Sequence, residues 1–132
     1  MIRHLSGKVI DITEKEIILD VSGVGYQIFC TLPTLLSCEK KEEKSFFIHT
    51  RVREDSINLY GFSNTNELFV FEKLIDVSGV GPKSALAMLS VHSPASIANA
   101  VEKEESELLS HTPGIGKKTT EKIIIELKGK LS

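Results

Sequence analysis

Two short glycine loops, each leading into lysine and a hydroxyl residue, are the part of this 132-residue chain best equipped for chemistry. The first is Gly79-Val80-Gly81, with Lys83 and Ser84 just beyond it; the second is Gly114-Ile115-Gly116, with Lys117, Lys118 and Thr119. Glycine admits positive φ and lets another molecule come close to the main chain. Where such a loop opens a helix, the first N–H groups have no intrahelical partner and the helix end carries partial positive charge. That combination favours an anion such as phosphate. The lysines add mobile charge, and Ser84 and Thr119 add hydroxyl donors. Val80 and Ile115, between the glycines, are expected to tuck into the helix pair and fix the bend.

The two loops are copies of one unit. A single offset of 35 residues, from Gly79 to Gly114, also aligns Leu74 with Leu109 and Lys83 with Lys118. One such loop reads equally well as a plain helical hairpin whose glycines only make a tight connection. Two copies with the same following chemistry favour phosphate binding. The pattern resembles the helix-hairpin-helix motif of DNA-binding proteins, a family that holds the sugar-phosphate backbone through loop amides. Phosphate contacts position a protein on a duplex but carry no base information, so selectivity would have to come from DNA shape.

A second candidate is the acidic pair Glu54-Asp55, which follows Arg51 and Arg53. It can be read as half of a metal-dependent nuclease site, as an exposed acidic turn, or as a charge that repels phosphates and steers strands. No further carboxylates stand nearby in a pattern, so the nuclease reading is the weaker one. His4, His49, His92 and His111 are scattered and read as surface or satisfied residues. Gly116-Lys117-Lys118-Thr119 resembles part of an ATP-binding phosphate loop, but the earlier glycine of that motif is His111 here, and ATP hydrolysis is not expected. No metal site and no cofactor are expected.

Composition frames these candidates. The apolar content is 41% and the charged content 26%, as in a globular protein. No run approaches membrane-span length and no signal peptide opens the chain, so the expectation is a cytoplasmic protein with no membrane role. Cys30 and Cys38 lack metal-ligand spacing and read as ordinary thiols. The net charge of −2 is unlike that of most nucleic-acid-binding domains. DNA binding therefore requires segregated charge. Glu102, Glu104, Glu105 and Glu107 do cluster between the two loops, away from Lys83 and Lys117-Lys118.

The elements that must position these residues change character midway. Residues 1–63 read as an all-β domain. Its strands run from Ile2 to Ile12 with a bulge or bend at Gly7, then Glu16–Val21, Gly25–Cys30, Ser45–Arg53 and Ile57–Phe62. A helical turn is expected after Pro33, and the run Glu39–Lys44 reads as a solvated loop tip. Five strands suit a small closed barrel such as the OB-fold, with a small sandwich as the other choice. Residues 64–132 read as an all-α domain of about five short helices, the last running from Lys117 to Leu131. The class is α+β. Val21-Ser22-Gly23-Val24-Gly25 repeats the letters of residues 77–81, but no lysine follows it, and it reads as a hairpin turn.

The stretch Arg51-Val52-Arg53-Glu54-Asp55-Ser56-Ile57-Asn58-Leu59-Tyr60-Gly61-Phe62, followed by Gly-Val-Gly-Pro-Lys and Pro-Gly-Ile-Gly-Lys-Lys-Thr, resembles the bacterial RuvA family across essentially the whole chain. That resemblance implies structure-specific, sequence-independent binding of Holliday (four-way) junction DNA in recombination and repair. It implies a homotetramer, or an octamer on DNA, that works with the RuvB ATPase and is not itself an enzyme. Amides at Gly79, Val80, Gly81, Gly114, Ile115 and Gly116 would grip the arms, helped by Lys83, Ser84, Lys117, Lys118 and Thr119. Glu54 and Asp55 would form an acidic pin at the crossover. Members of that family carry a third small domain that stimulates RuvB. This sequence stops at Ser132, as a truncated form or a fragment, so junction binding is expected to survive and stimulation of the motor is not. The alternatives are a nuclease or glycosylase that docks through the hairpins and, last, a single-stranded DNA binder, which the scarcity of aromatics in the first half disfavours.

Overall fold

The computed structural model describes residues 1–131 and divides into two compact units, Met1–Leu68 and the chain from Phe69 onward. The first holds β1 (His4–Ile12), β2 (Glu16–Val21), β3 (Val24–Cys30), a short helix α1 (Leu32–Ser37), β4 (Glu43–Arg53) and β5 (Ser56–Phe62). The strands close into a barrel in the order β1-β2-β3-β5-β4, with β3 and β5 parallel and every other pair antiparallel. This is the OB-type barrel and not a sandwich. Closure leaves no free sheet edge to be covered. Inward-facing residues at alternate positions, among them Val9, Ile17, Leu19, Ile28, Phe46 and Ile48, make one core. Thr31 caps α1, its hydroxyl accepting the Thr34 N–H, with Pro33 in the first turn.

Gly7 has a different role from the expected bulge. The register of β1 on β2 shifts between Val9 and Asp11, while Gly7 itself pairs regularly with Lys44. A Cβ at Gly7 would run into the carbonyl oxygen of Asp20. The glycine is therefore needed for close approach of the two strands. The charge run after residue 38 is also more ordered than a loop tip. Lys41 N–H donates to the Val9 carbonyl and Val9 N–H to the Glu42 carbonyl, so the run is stitched onto β1 before β4 begins.

The helical part comprises α2 (Thr65–Ile75), α3 (Pro82–Val91), α4 (Pro94–Glu102), the single turn α5 (Ser106–Leu109) and α6 (Lys117–Leu127). Asn64 caps α2 by accepting the Glu67 N–H at 2.9 Å, and Ser93 caps α4 by accepting the Ser96 N–H at 3.1 Å. The core of the helical unit includes Phe71, Leu74, Met88, Ile97, Leu109 and Ile123, all fully buried. The last helix ends at Leu127 and not at Leu131. Gly129 takes φ +80° and breaks the α period, though Leu131 is still buried.

Candidate nucleic-acid interface

The 35-residue offset seen in the sequence holds for the backbone, bond by bond. Val77 N–H donates to the Leu74 carbonyl at 3.1 Å, and Thr112 N–H to Leu109 at 3.2 Å. Val80 N–H donates to the Val77 carbonyl at 3.0 Å, and Ile115 N–H to Thr112 at 3.1 Å. The first intrahelical bonds beyond the loops, Ala85 to Gly81 and Thr120 to Gly116, measure 3.0 and 3.1 Å. Gly79 and Gly114 take φ +90° and +83°.

These bonds correct one expectation. The amides of Val80 and Ile115 are already spent inside their own turns, so they are not available to a ligand. Their side chains are 5% and 6% exposed. Burying each contributes about 1.5–3 kcal/mol, which fixes the bend from within. Val80 and Ile115 are anchors, not donors.

The free donors lie one step further on. Gly81 and Gly116 are the N-caps of α3 and α6, and neither helix start has a side-chain cap. With the first helical bonds made at Ala85 and Thr120, the N–H groups of Lys83 and Ser84, and of Lys117, Lys118 and Thr119, have no intrahelical acceptor. The two cap glycines are informative. Their φ values of −94° and −87° suit any residue, and a Cβ built on either would meet nothing within 4 Å. The fold itself makes no demand for glycine at these two positions. What their bareness provides is open space outside the main chain, which an external backbone can enter.

Charge around the loops is unneutralised. Lys83, Lys117 and Lys118 are exposed and have no ion-pair partner among the described residues. The acids between the loops are partly committed elsewhere. Glu102 accepts the Gly129 N–H at 2.6 Å, and Glu104 pairs with Lys128 at 2.8 Å. The hydrogen bond and charge of Lys128 hold the Glu104 carboxyl below the usual range, and Glu104 raises Lys128 in turn. These clips tie the end of the last helix to α4 and the turn after it. Nothing in the local sequence pattern signalled them.

Glu54 and Asp55 form the two-residue turn between β4 and β5, closed by the Arg53–Ser56 pair. Both are exposed, and neither carboxylate has a partner among the described residues. Neither has positive φ, unlike Ser22 (+51°) and Gly23 (+93°) in the β2–β3 hairpin. The acidic turn thus lies outside the primed types that best match strand twist. Among the described residues no group of three His, Cys, Asp or Glu is placed to hold a metal ion, and no helix is long and apolar enough to cross a membrane. Cys30 and Cys38 are free and buried, and burial raises both thiol pKa values.

Among the described residues, two buried polar atoms have no hydrogen-bond partner, the Thr112 hydroxyl and the His92 Nε2. Burial, and then nearby His111, lowers the His92 pKa. The repeat offset explains both orphans: Thr112 stands where the first unit has Val77, and His92 stands where the second has Leu127. Each is a polar residue at a position that the other copy fills with an apolar one. Comparing the two units residue by residue gives a signal for both.

Comparison with known proteins covers both halves. The family described as "RuvA N terminal domain" matches residues 1–61, and the "SAM-like Helix-hairpin-helix tandem" family matches residues 71–130. Among curated relatives, the "Holliday junction branch migration complex subunit RuvA" of Thermobifida fusca is 44% identical over 131 residues, covering 99% of this chain and 65% of the relative. The protein of the same name from Actinobacillus pleuropneumoniae serotype 5b is 45% identical, with 98% and 65% covered. That from Alkaliphilus oremlandii is 41% identical, with 99% and 68% covered. The chain thus spans about two thirds of the length of these relatives.

Proposed function

The chain belongs to the RuvA family, and from that premise we propose that it binds four-way junction DNA by shape, without reading sequence and without catalysing a reaction. The observation that carries this reading is the twice-built loop. A bare cap glycine stands before a run of free amides, with unpaired lysines beside it, at the same offset in both copies. The amides of Lys83, Ser84, Lys117, Lys118 and Thr119 hold phosphates of the arms, and Gly79 and Gly114 shape the bends. Glu54 and Asp55 act as a pin that keeps phosphates apart at the crossover. Four copies assemble around one junction, in the cytoplasm, as the DNA-holding partner of a RuvB ATPase in recombination and repair. The working halves are residues 1–63 and 64–132.

The test is a gel shift that compares a four-way junction with linear duplex of the same arm sequence. The expected result is a clear preference for the junction that weakens steeply as salt rises, since each phosphate contact releases counterions. Equal affinity for the two DNAs overturns the reading. So does magnesium-dependent cleavage of the junction that Glu54→Ala abolishes.

A further inference from the structure

We propose that Glu102 and Glu104 are positioning residues for the second hairpin: they clasp the far end of α6 and so hold the free amides at its start in place for a phosphate. This rests on the DNA-binding reading above. The two hairpins are unequally supported. The first glycine loop is entered from α2, which runs for 11 residues, whereas the second is entered from α5, a single turn of 4 residues. One turn is not stable alone and takes its order from what surrounds it. The clasp supplies part of that support. The Glu102 carboxylate accepts the Gly129 N–H at 2.6 Å, and the Glu104 carboxylate accepts from Lys128 Nζ at 2.8 Å. The partners lie 27 and 24 positions apart, and α5, the glycine loop and α6 all fall between them. The segment that carries the second hairpin is therefore a loop pinned shut at its base. Holding the ends of a segment together restricts every conformation between them.

Two observations set this clasp apart from an incidental surface pair. The first is backbone strain. Glu104 takes φ +55° just past the end of α4, at the position where glycine is favoured. The turn around it is complete: Glu104 N–H donates to the Val101 carbonyl at 3.2 Å and Glu105 N–H to the Ala100 carbonyl at 2.8 Å. Glycine makes such a turn without strain, as Gly129 does beyond α6 with φ +80°. A side chain kept at a strained position points to a task for that side chain. The second observation is that the first unit has no clasp. At the 35-residue offset Phe69 stands for Glu104, Ser93 for Lys128, and Pro94, which has no N–H to donate, for Gly129. The device belongs to the copy whose entry helix is short. An exposed ion pair alone contributes little. Here it is joined by a short, charge-assisted bond from the next main-chain amide, with buried Leu127 and Leu131 on either side.

The experiment is junction binding by gel shift, below the melting temperature, for Glu102→Ala with Glu104→Gly. If the acids act only through charge, removing two anions from a protein that holds a polyanion tightens binding. The clasp predicts the opposite sign, a weakening of about three- to tenfold. The conservative pair Glu102→Gln with Glu104→Gln loses both charges but keeps both acceptor oxygens, and it should recover the grip. The loss should shrink in a Lys117→Ala, Lys118→Ala background and persist in full in a Lys83→Ala background. A purely structural role lowers the melting temperature and treats the two backgrounds alike. Glu104→Gly alone, which relieves the strained φ, repeats the comparison should the double variant fail to fold. Unchanged or tighter binding by the clasp-breaking variants, or equal loss in both backgrounds, overturns the inference and leaves the DNA-binding reading standing. A wild type that does not prefer the junction to linear duplex removes both together.

Discussion

Where α3 begins with Pro82, α6 begins with Lys117. The two hairpins share turn bonds, glycine dihedrals and cap geometry to within a few degrees and about a tenth of an ångström. They differ in what they present to a ligand. Proline has no N–H, so the first hairpin offers amides from Lys83 and Ser84 and one lysine head. The second offers amides from Lys117, Lys118 and Thr119 and two lysine heads. Gly116 is exposed where Gly81 is half-buried. A duplicated backbone has therefore kept its geometry while its donor set diverged, and the second hairpin presents one more free amide and one more lysine than the first.

The largest expected effect tests that ranking directly. Lys117→Ala with Lys118→Ala should weaken junction binding roughly tenfold and lower the salt slope by about 2, whereas Lys83→Ala should cost roughly threefold and lower it by about 1. Equal losses from the two hairpins would break the comparison. A smaller effect concerns stability. Thr112→Val removes a buried hydroxyl without a partner and restores the residue type of the equivalent Val77. It should stabilise the protein by about 1 kcal/mol in denaturant unfolding, with binding unchanged. A loss of stability would mean that the hydroxyl is satisfied after all.

The smallest effect is a pH dependence. The folded His92 pKa lies below the ordinary value, so the unfolded chain binds the proton more tightly. The His92 contribution is fully present above about pH 6.5 and is lost as pH falls through the lower folded pKa. His92→Leu, which copies Leu127, should flatten the fall in melting temperature between neutral and mildly acidic pH relative to the wild type. An unchanged slope would show that His92 contributes none of it.

Features written locally or repeated were legible in the sequence. The strand periods, the Ser22-Gly23 turn and the two glycine hairpins all come from patterns spanning a few residues or one fixed offset. Features that depend on distant chain were not. The need for glycine at position 7 comes from the Asp20 carbonyl on a neighbouring strand, and no pattern around residue 7 contains it. The end of α6 is set by Gly129, whose N–H is taken by Glu102, a residue 27 positions earlier. The roles of Val80 and Ile115 were half legible. Their apolar character predicted burial, but which amide closes the turn is a matter of backbone path. The value of Gly81 and Gly116 emerged only from the structure, because a glycine that is sterically unnecessary looks the same in sequence as one that is required.

One pentapeptide, Val-Ser-Gly-Val-Gly, stands twice in the chain, at 21–25 and 77–81. In the first place Ser22 and Gly23 both take positive φ and the second valine, Val24, is 53% exposed. In the second only Gly79 does so, and the matching Val80 is an interior plug. A survey that scored five-letter words would assign the two places one backbone, which they do not share. The word is ambiguous, and the neighbouring clauses, β-branched on one side and helical with lysine on the other, settle its meaning.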